Sequence, residues 1–283
     1  MNYRHAFHAG NFADVFKHIL LTRILVYLMR KDQPLRFMDT HAGPGRYDLA
    51  SEEANRTDEW RNGIARIANA ERPAAIDELI APWLEAIGPC DEEGKPQSYP
   101  GSPALAQKLL RPQDKIALNE LHERDCLLLR RNFGRDNRVR IASMDGYTAL
   151  NAWTPPVERR GLALIDPPFE VRDEFTRIVS AISKAWKKWP TGCYAIWYPI
   201  KDAAQVDRFY EDLSATGIDN VLRLELSIDQ AAHAGPLTAT GFCIVNPPFI
   251  LIDEANTLLP WLVAVLAKQG QGSWRATQFG DRA

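Results

Sequence analysis

The chain has 283 residues, 46% hydrophobic and 25% charged, an ordinary globular composition that suits one large α/β domain better than several small ones. A net charge of −2 excludes a global basic field, and no apolar run approaches the ~20 residues of a membrane span. Cys90, Cys126, Cys193 and Cys243 are scattered without a CxxC pair and the N-terminus lacks a secretory h-region, so a reduced, cytoplasmic protein without metal is expected.

In chain order, Phe12, Val15, Phe16, Ile19, Leu20, Ile24, Tyr27 and Leu28 recur at i, i+3, i+4 and predict an amphipathic helix over 12–31. Asp14, Lys17 and His18 lie beside that stripe. A short buried strand over 35–39 runs into a small-residue turn over 40–45. Residues 46–98 lose the strand signal and carry helical patterns over 60–70 and 74–87, then a polar turn-rich stretch. Alternation resumes with a helix over 102–110, a strand over 115–120, a helix over 123–133 and a strand over 139–142. Further strands are predicted over 161–166, 193–199, 221–228 and 240–246, with helices over 173–189, 203–215 and 253–267. The polar tail from Gln269 reads as loose.

Seven strands alternating with helices predict an α/β, Rossmann-like, mostly parallel sheet with its ligand at the carboxyl ends of the strands. The expected organisation is an N-terminal arm, helix and first strand over 1–46, a small helical insertion over 47–98, and the rest of the main domain over 99–283.

The candidate motifs follow strands. Asp39-Thr-His-Ala-Gly-Pro-Gly45 offers an acid and small residues where backbone can approach a ligand, although it is neither GxGxxG nor a phosphate loop. Glu120 ends the second strand, where a carboxylate can bond a ribose diol. Asp145-Gly146 ends the third, suited to an adenine edge or to a plain turn. The strongest signal is Asp166-Pro167-Pro168-Phe169 after the fourth strand. Two prolines stiffen the backbone. The Asp166 carboxylate and Pro167 carbonyl can then accept both hydrogens of an exocyclic amine, while Phe169 offers a face for a flipped base. Such positioning makes the conjugated nitrogen a better nucleophile toward a methyl sulfonium, with Asp166 placed to take the proton.

Asn246-Pro247-Pro248-Phe249 fits the same [DN]PP[YF] pattern. It follows the seventh strand, which does not neighbour the first in the order 3-2-1-4-5-7-6 expected for a methyltransferase of this class, so Asp166 is selected and Asn246 is assigned a structural role. The N-terminal Tyr3-Arg-His-Ala-Phe-His8 reads as a stacking or closing arm, because His5 and His8 lack a metal-ligand partner at suitable spacing. Arg130, Arg131, Arg135, Arg138 and Arg140, with Lys184, Lys187 and Lys188, are either solvated faces or phosphate contacts.

Phe7-His-Ala-Gly-Asn11 with Lys17-His18, Asp39-Thr-His-Ala-Gly43, Tyr99-Pro-Gly-Ser-Pro103, Asn119-Glu-Leu-His122, Asp145-Gly146, Asp166-Pro-Pro-Phe169, the late Asn246-Pro-Pro248 and Leu259-Pro-Trp261 occur together in this order. Together they resemble the RlmJ family of bacterial 23S ribosomal RNA adenine-N(6)-methyltransferases, over nearly the whole chain to about Trp261. The resemblance implies a class I fold with S-adenosylmethionine (SAM) as methyl donor and 23S rRNA as partner. It also implies SAM contacts by Lys17, His18, His41, Ser102, Glu120, Asp145, Gly146 and Asp166, catalysis by Asp166, and an RNA contact by Tyr3. Phe169 stands where the family more often has Tyr, and Pro44 replaces a smaller residue. Competing readings are a DNA adenine methyltransferase, for which the insertion is small, a protein-glutamine methyltransferase, which would favour Asn at position 166, and a non-catalytic RNA-binding assembly factor.

Overall fold

The structure, a computed structural model, describes residues 5–229, 235–268 and 270–280. Its centre is an eight-stranded sheet. The strands are β1 (Arg36–Asp39), β4 (Lys115–Asn119), β5 (Val139–Ala142), β6 (Gly161–Ile165), β7 (Cys193–Pro199), β8 (Val221–Ser227), β9 (Ala239–Val245) and β10 (Ser273–Phe279). Their order is β10-β8-β9-β7-β6-β1-β4-β5. The five strands from β7 to β5 are parallel, whereas β9, β8 and β10 add on antiparallel. Seven of these strands realise the expected order and the eighth, β10, is the stretch expected to be a loose tail. Its side chains are nearly all exposed, so pairing to β8 rather than apolar burial holds it.

Alternate residues on the buried strands feed two cores, as a strand covered on both faces requires. Phe37, Leu118 and Leu164 point to one side, and Met38, Ala117 and Ala163 to the other. The first side is covered by α1 (Phe12–Leu28), α4 (Ala74–Ile87), α5 (Ser102–Leu109), α6 (Glu123–Phe133) and α10 (Leu251–Leu266). The second is covered by α7 (Gly146–Trp153), α8 (Glu174–Lys188) and α9 (Ala203–Ser214).

Helix α1 departs from the amphipathic expectation. Every residue from Phe12 to Leu25 is buried, including Asp14, Lys17, His18, Thr22 and Arg23. Its polar side faces an internal cavity and a partner helix instead of bulk water; Arg23, for instance, makes a two-pronged pair with Glu254 of α10 at 2.6 and 2.8 Å.

The stretch between β1 and α5 opens and closes on a two-stranded ladder missed from sequence, β2 (Arg46–Asp48) against β3 (Ser98–Pro100). Three-residue strands are too short to show a period of two. Between them lie α2 (Glu52–Thr57), a 3-10 turn over Glu59–Asn62, α3 (Ile64–Asn69) and α4, so the helical pattern expected over 60–70 is split at Gly63. A side chain at Gly63 would meet the Gly10 carbonyl at 2.0 Å. Trp60, Ile64, Ile80 and Trp83 are buried in the same apolar cluster as Phe16 and Leu20 of α1. All four cysteines are free thiols. Among the described residues no helix is long and apolar enough to cross a membrane, and no three His, Cys, Asp or Glu side chains gather as metal ligands.

Candidate active site

The carboxyl ends of the parallel strands open into one cavity of about 780 Å³. Lys17, His18, His41, Ser102, Glu120, Asp145, Gly146, Asp166, Pro167 and Phe169 all line it. Asp39 sits directly beneath, fully buried. Tyr3 lies outside the described residues.

Parallel pairing creates this convergence: β1 lies between β4 and β6, so the loops after Asp39, Asn119 and Ile165 emerge side by side. Asn119 ties the loop after Asp39 to the loop after β5. Its side-chain amide donates to the Thr40 and Met144 carbonyls at 3.0 and 2.9 Å and accepts from the Met144 N–H at 3.1 Å.

Each acid has a distinct setting. Asp39 accepts from the Ser102 hydroxyl at 2.6 Å and the His41 N–H at 3.1 Å, yet burial outweighs both and pushes its pKa up to about 7. Burial likewise raises Glu120, although backbone N–H groups of His122 (2.7 Å) and Gly43 (2.8 Å) hold one oxygen each. Gly43 has φ +56°, a left-handed conformation in which a Cβ would also sit 2.7 Å from the Tyr47 hydroxyl. Asp145 caps α7 through the Thr148 N–H at 2.9 Å and pairs with Arg177 at 3.1 Å. Gly146 is required by contact: a Cβ there would lie 2.4 Å from His41 Nε2.

Asp166 follows β6 and accepts from Lys17 Nζ at 2.7 Å. Lys17 Nζ also lies 3.0 Å from Asp14. Burial works against the lysine charge, but the two carboxylates more than offset it and raise its pKa above the usual range. Asp14 was not singled out from sequence. Its carboxylate also accepts from His5 Nε2 (2.9 Å) and the Gly10 N–H (3.0 Å); burial works against its charge, but His5 and Lys17 beside it hold its pKa well below normal. Both N-terminal histidines thus meet a carboxylate: His5 meets Asp14 of α1, and His8 Nδ1 meets the more distant Glu59 at 2.9 Å. Burial lowers His18 to about 3 and His41 to about 4, so both rings are neutral at pH 7.

Phe169 has φ +50°, and its half-buried ring packs edge-on against Phe175 and Trp197, with centroids at 5.1 and 6.0 Å. Trp197, also not anticipated, brings its ring 5.8 Å from Lys17 Nζ.

The second Pro-Pro motif lies at the opposite end of the sheet. Because β9 runs antiparallel to β7, with Val245 opposite Tyr194, Asn246 emerges where β7 begins. Its amide donates to the Pro190 and Gly192 carbonyls at 2.7 and 2.8 Å, bonds that tie two loops together.

Comparison with known proteins agrees with this arrangement. The protein from Escherichia coli K12 named ribosomal RNA large subunit methyltransferase J is 43% identical over 273 residues, covering 96% of both chains. Its namesake from Haemophilus influenzae is 41% identical over 275 residues, 97% of each. A crystal structure of a protein from Legionella pneumophila strain Philadelphia 1 superposes with a TM-score of 0.86 at 35% identity, covering 96% of this chain and 98% of that one. The family model described as ribosomal RNA large subunit methyltransferase D, RlmJ, matches residues 32–279, and the chain belongs to that family.

Proposed function

We propose that this protein transfers a methyl group from SAM to the 6-amino group of an adenine in 23S ribosomal RNA. The observation that carries the reading is Asp166-Pro167-Pro168-Phe169 at the end of β6, beside β1, on the wall of the cavity and in contact with Lys17. The names of the Escherichia coli and Haemophilus influenzae relatives support a large-subunit rRNA as substrate.

The residues present suit SAM. Glu120, with one backbone N–H on each oxygen, keeps lone pairs for a ribose diol; Asp39 and Ser102 offer polar groups beneath; Asp145 and the bare Gly146 give a narrow edge for an adenine. Lys17, His18 and His41 complete the proposed cofactor contacts. When bound, SAM supplies the electrophilic methyl group. The remaining work falls to this chain. Asp166 and the Pro167 carbonyl accept the two amine hydrogens and turn the nitrogen lone pair out of conjugation. Phe169, clamped by Phe175 and Trp197, supports the base by stacking, worth roughly 1–3 kcal/mol. Lys17 holds Asp166 in place, and the amine proton passes to the Asp166 carboxylate or to water beside it.

The test offers the purified protein deproteinised 23S RNA, 16S RNA and duplex DNA with labelled SAM, followed by digestion to nucleosides. Label in N6-methyladenosine from 23S RNA is expected. Label mainly in DNA, or on another base, would overturn the proposal.

A further inference from the structure

Most arginines of this protein are tied down. Arg138, within the basic cluster noted in the sequence, is one of these: it pairs with Asp136 at 2.7 Å and donates to the Gln107 and Leu110 carbonyls. Arg111, Arg23 and Arg223 are held by Asp114, Glu254 and Glu225. Helix α6 and the turn after it differ. Arg124, Arg130, Arg131 and Arg135 are all exposed, and among the described residues none makes a side-chain hydrogen bond, ion pair or ring contact. From Cys126 to Asn137 the sole acid is Asp136, already engaged by Arg138. Glu123 and Asp125 flank Arg124, so the local positive surface runs over the end of the helix and the turn, from Arg130 to Arg135, on a chain of net charge −2.

Two further observations point to an occupant. Leu127 and Leu128 stand exposed between the arginines, at 63% and 37% accessibility, an apolar area that a solvated helix face does not require. The surface also adjoins the cavity: Leu121, just before α6, and Asp125 in its first turn line it, and Asn132 near the end donates at 2.9 Å to the carbonyl of Pro44, itself a wall residue. At 1.5 Å per residue, Arg124 to Arg131 spans about 10 Å of helix leading away from the rim.

We propose that this face of α6 grips the sugar–phosphate backbone of the RNA whose adenine enters the cavity, an inference that rests on the RNA substrate proposed above. Guanidinium groups without internal partners supply bidentate phosphate contacts, and Leu127 and Leu128 cover ribose or an unstacked base.

The experiment compares wild type with the combined variant Arg130→Ala, Arg131→Ala, Arg135→Ala, and with a charge-matched control, Lys184→Ala, Lys187→Ala, Arg208→Ala, on the opposite face of the sheet. Binding to deproteinised 23S RNA is measured between 50 and about 200 mM salt, with SAM affinity measured alongside. Loss of three phosphate contacts lowers the log–log salt slope by about two and weakens binding at least about tenfold at low salt, while SAM affinity stays within twofold and the control behaves as wild type. Wild-type binding by the arginine variant, or an equal loss in the control, overturns the surface assignment while wild-type methylation of 23S RNA leaves the substrate reading standing. Failure of wild type to methylate 23S RNA overturns both.

Discussion

The two Pro-Pro motifs make a paired test in which stability and turnover move in opposite directions. In Asn246→Ala, two hydrogen bonds to the Pro190 and Gly192 carbonyls disappear, each worth a net ~0.5–1.5 kcal/mol. Asn246 also has φ +52°, a left-handed conformation that costs alanine roughly 1–2 kcal/mol. The expected loss is about 2–5 kcal/mol, a fall in Tm on the order of 10 °C. Turnover at a temperature where both proteins are folded stays within about threefold of wild type, because Asn246 lies at the far end of the sheet. In Asp166→Ala the balance reverses. Lys17 keeps Asp14 at 3.0 Å, so no buried charge is stranded and stability changes by about 1 kcal/mol or less. Methyl transfer falls by a factor of about 10²–10⁴, the usual size of a lost acid–base and positioning group. Differential scanning calorimetry and initial rates at saturating SAM and RNA measure both. Retention of more than about a tenth of the rate by Asp166→Ala, or loss of activity by a folded Asn246→Ala, would refute the assignment.

Lys17→Met leaves Asp14 and Asp166 facing each other without their shared cation, so a loss of about 3–5 kcal/mol in urea unfolding is expected, larger than for Asp166→Ala. Asp39, raised to about 7 by burial, holds its proton more tightly in the folded protein than unfolded; its contribution to stability is full below about pH 4 and lost as pH rises through 7. If SAM needs the carboxylate form, its affinity increases about tenfold from pH 6 to 8, and Asp39→Asn flattens that slope in calorimetric titration; a slope unchanged by Asp39→Asn would exclude Asp39 as its source. Gly146→Ala drives a methyl to within 2.4 Å of His41 Nε2 and 2.8 Å of the Thr40 carbonyl, which Asn119 holds in place, so SAM binding weakens at least about tenfold with a folding cost of about 1–3 kcal/mol; near-wild-type affinity would mean that the His41 loop yields freely.

The residues at strand ends were legible because topology converts sequence position into proximity. Once alternating strands and helices imply a parallel sheet, Asp39, Glu120, Asp145 and Asp166 must share one end of it, whatever their separation along the chain. Strand order separated Asp166 from Asn246, and the structure adds a stronger reason: β9 is antiparallel and carries its carboxyl end to the opposite end of the sheet from the cavity. What stayed hidden depends on partners that local patterns do not encode. Asp14 and Lys17 look like the solvated side of an amphipathic helix, since the three-residue spacing of an acid and a lysine is ordinary surface chemistry. Only the arrival of Asp166, 149 residues further on, makes that pair an internal one. Strand β10 escaped for the converse reason: hydrophobic periodicity detects a face that is buried, and β10 is bound through backbone bonds to β8 with its side chains in water. A polar segment of that kind is indistinguishable from a loose tail until the neighbouring edge strand is known to be free to pair.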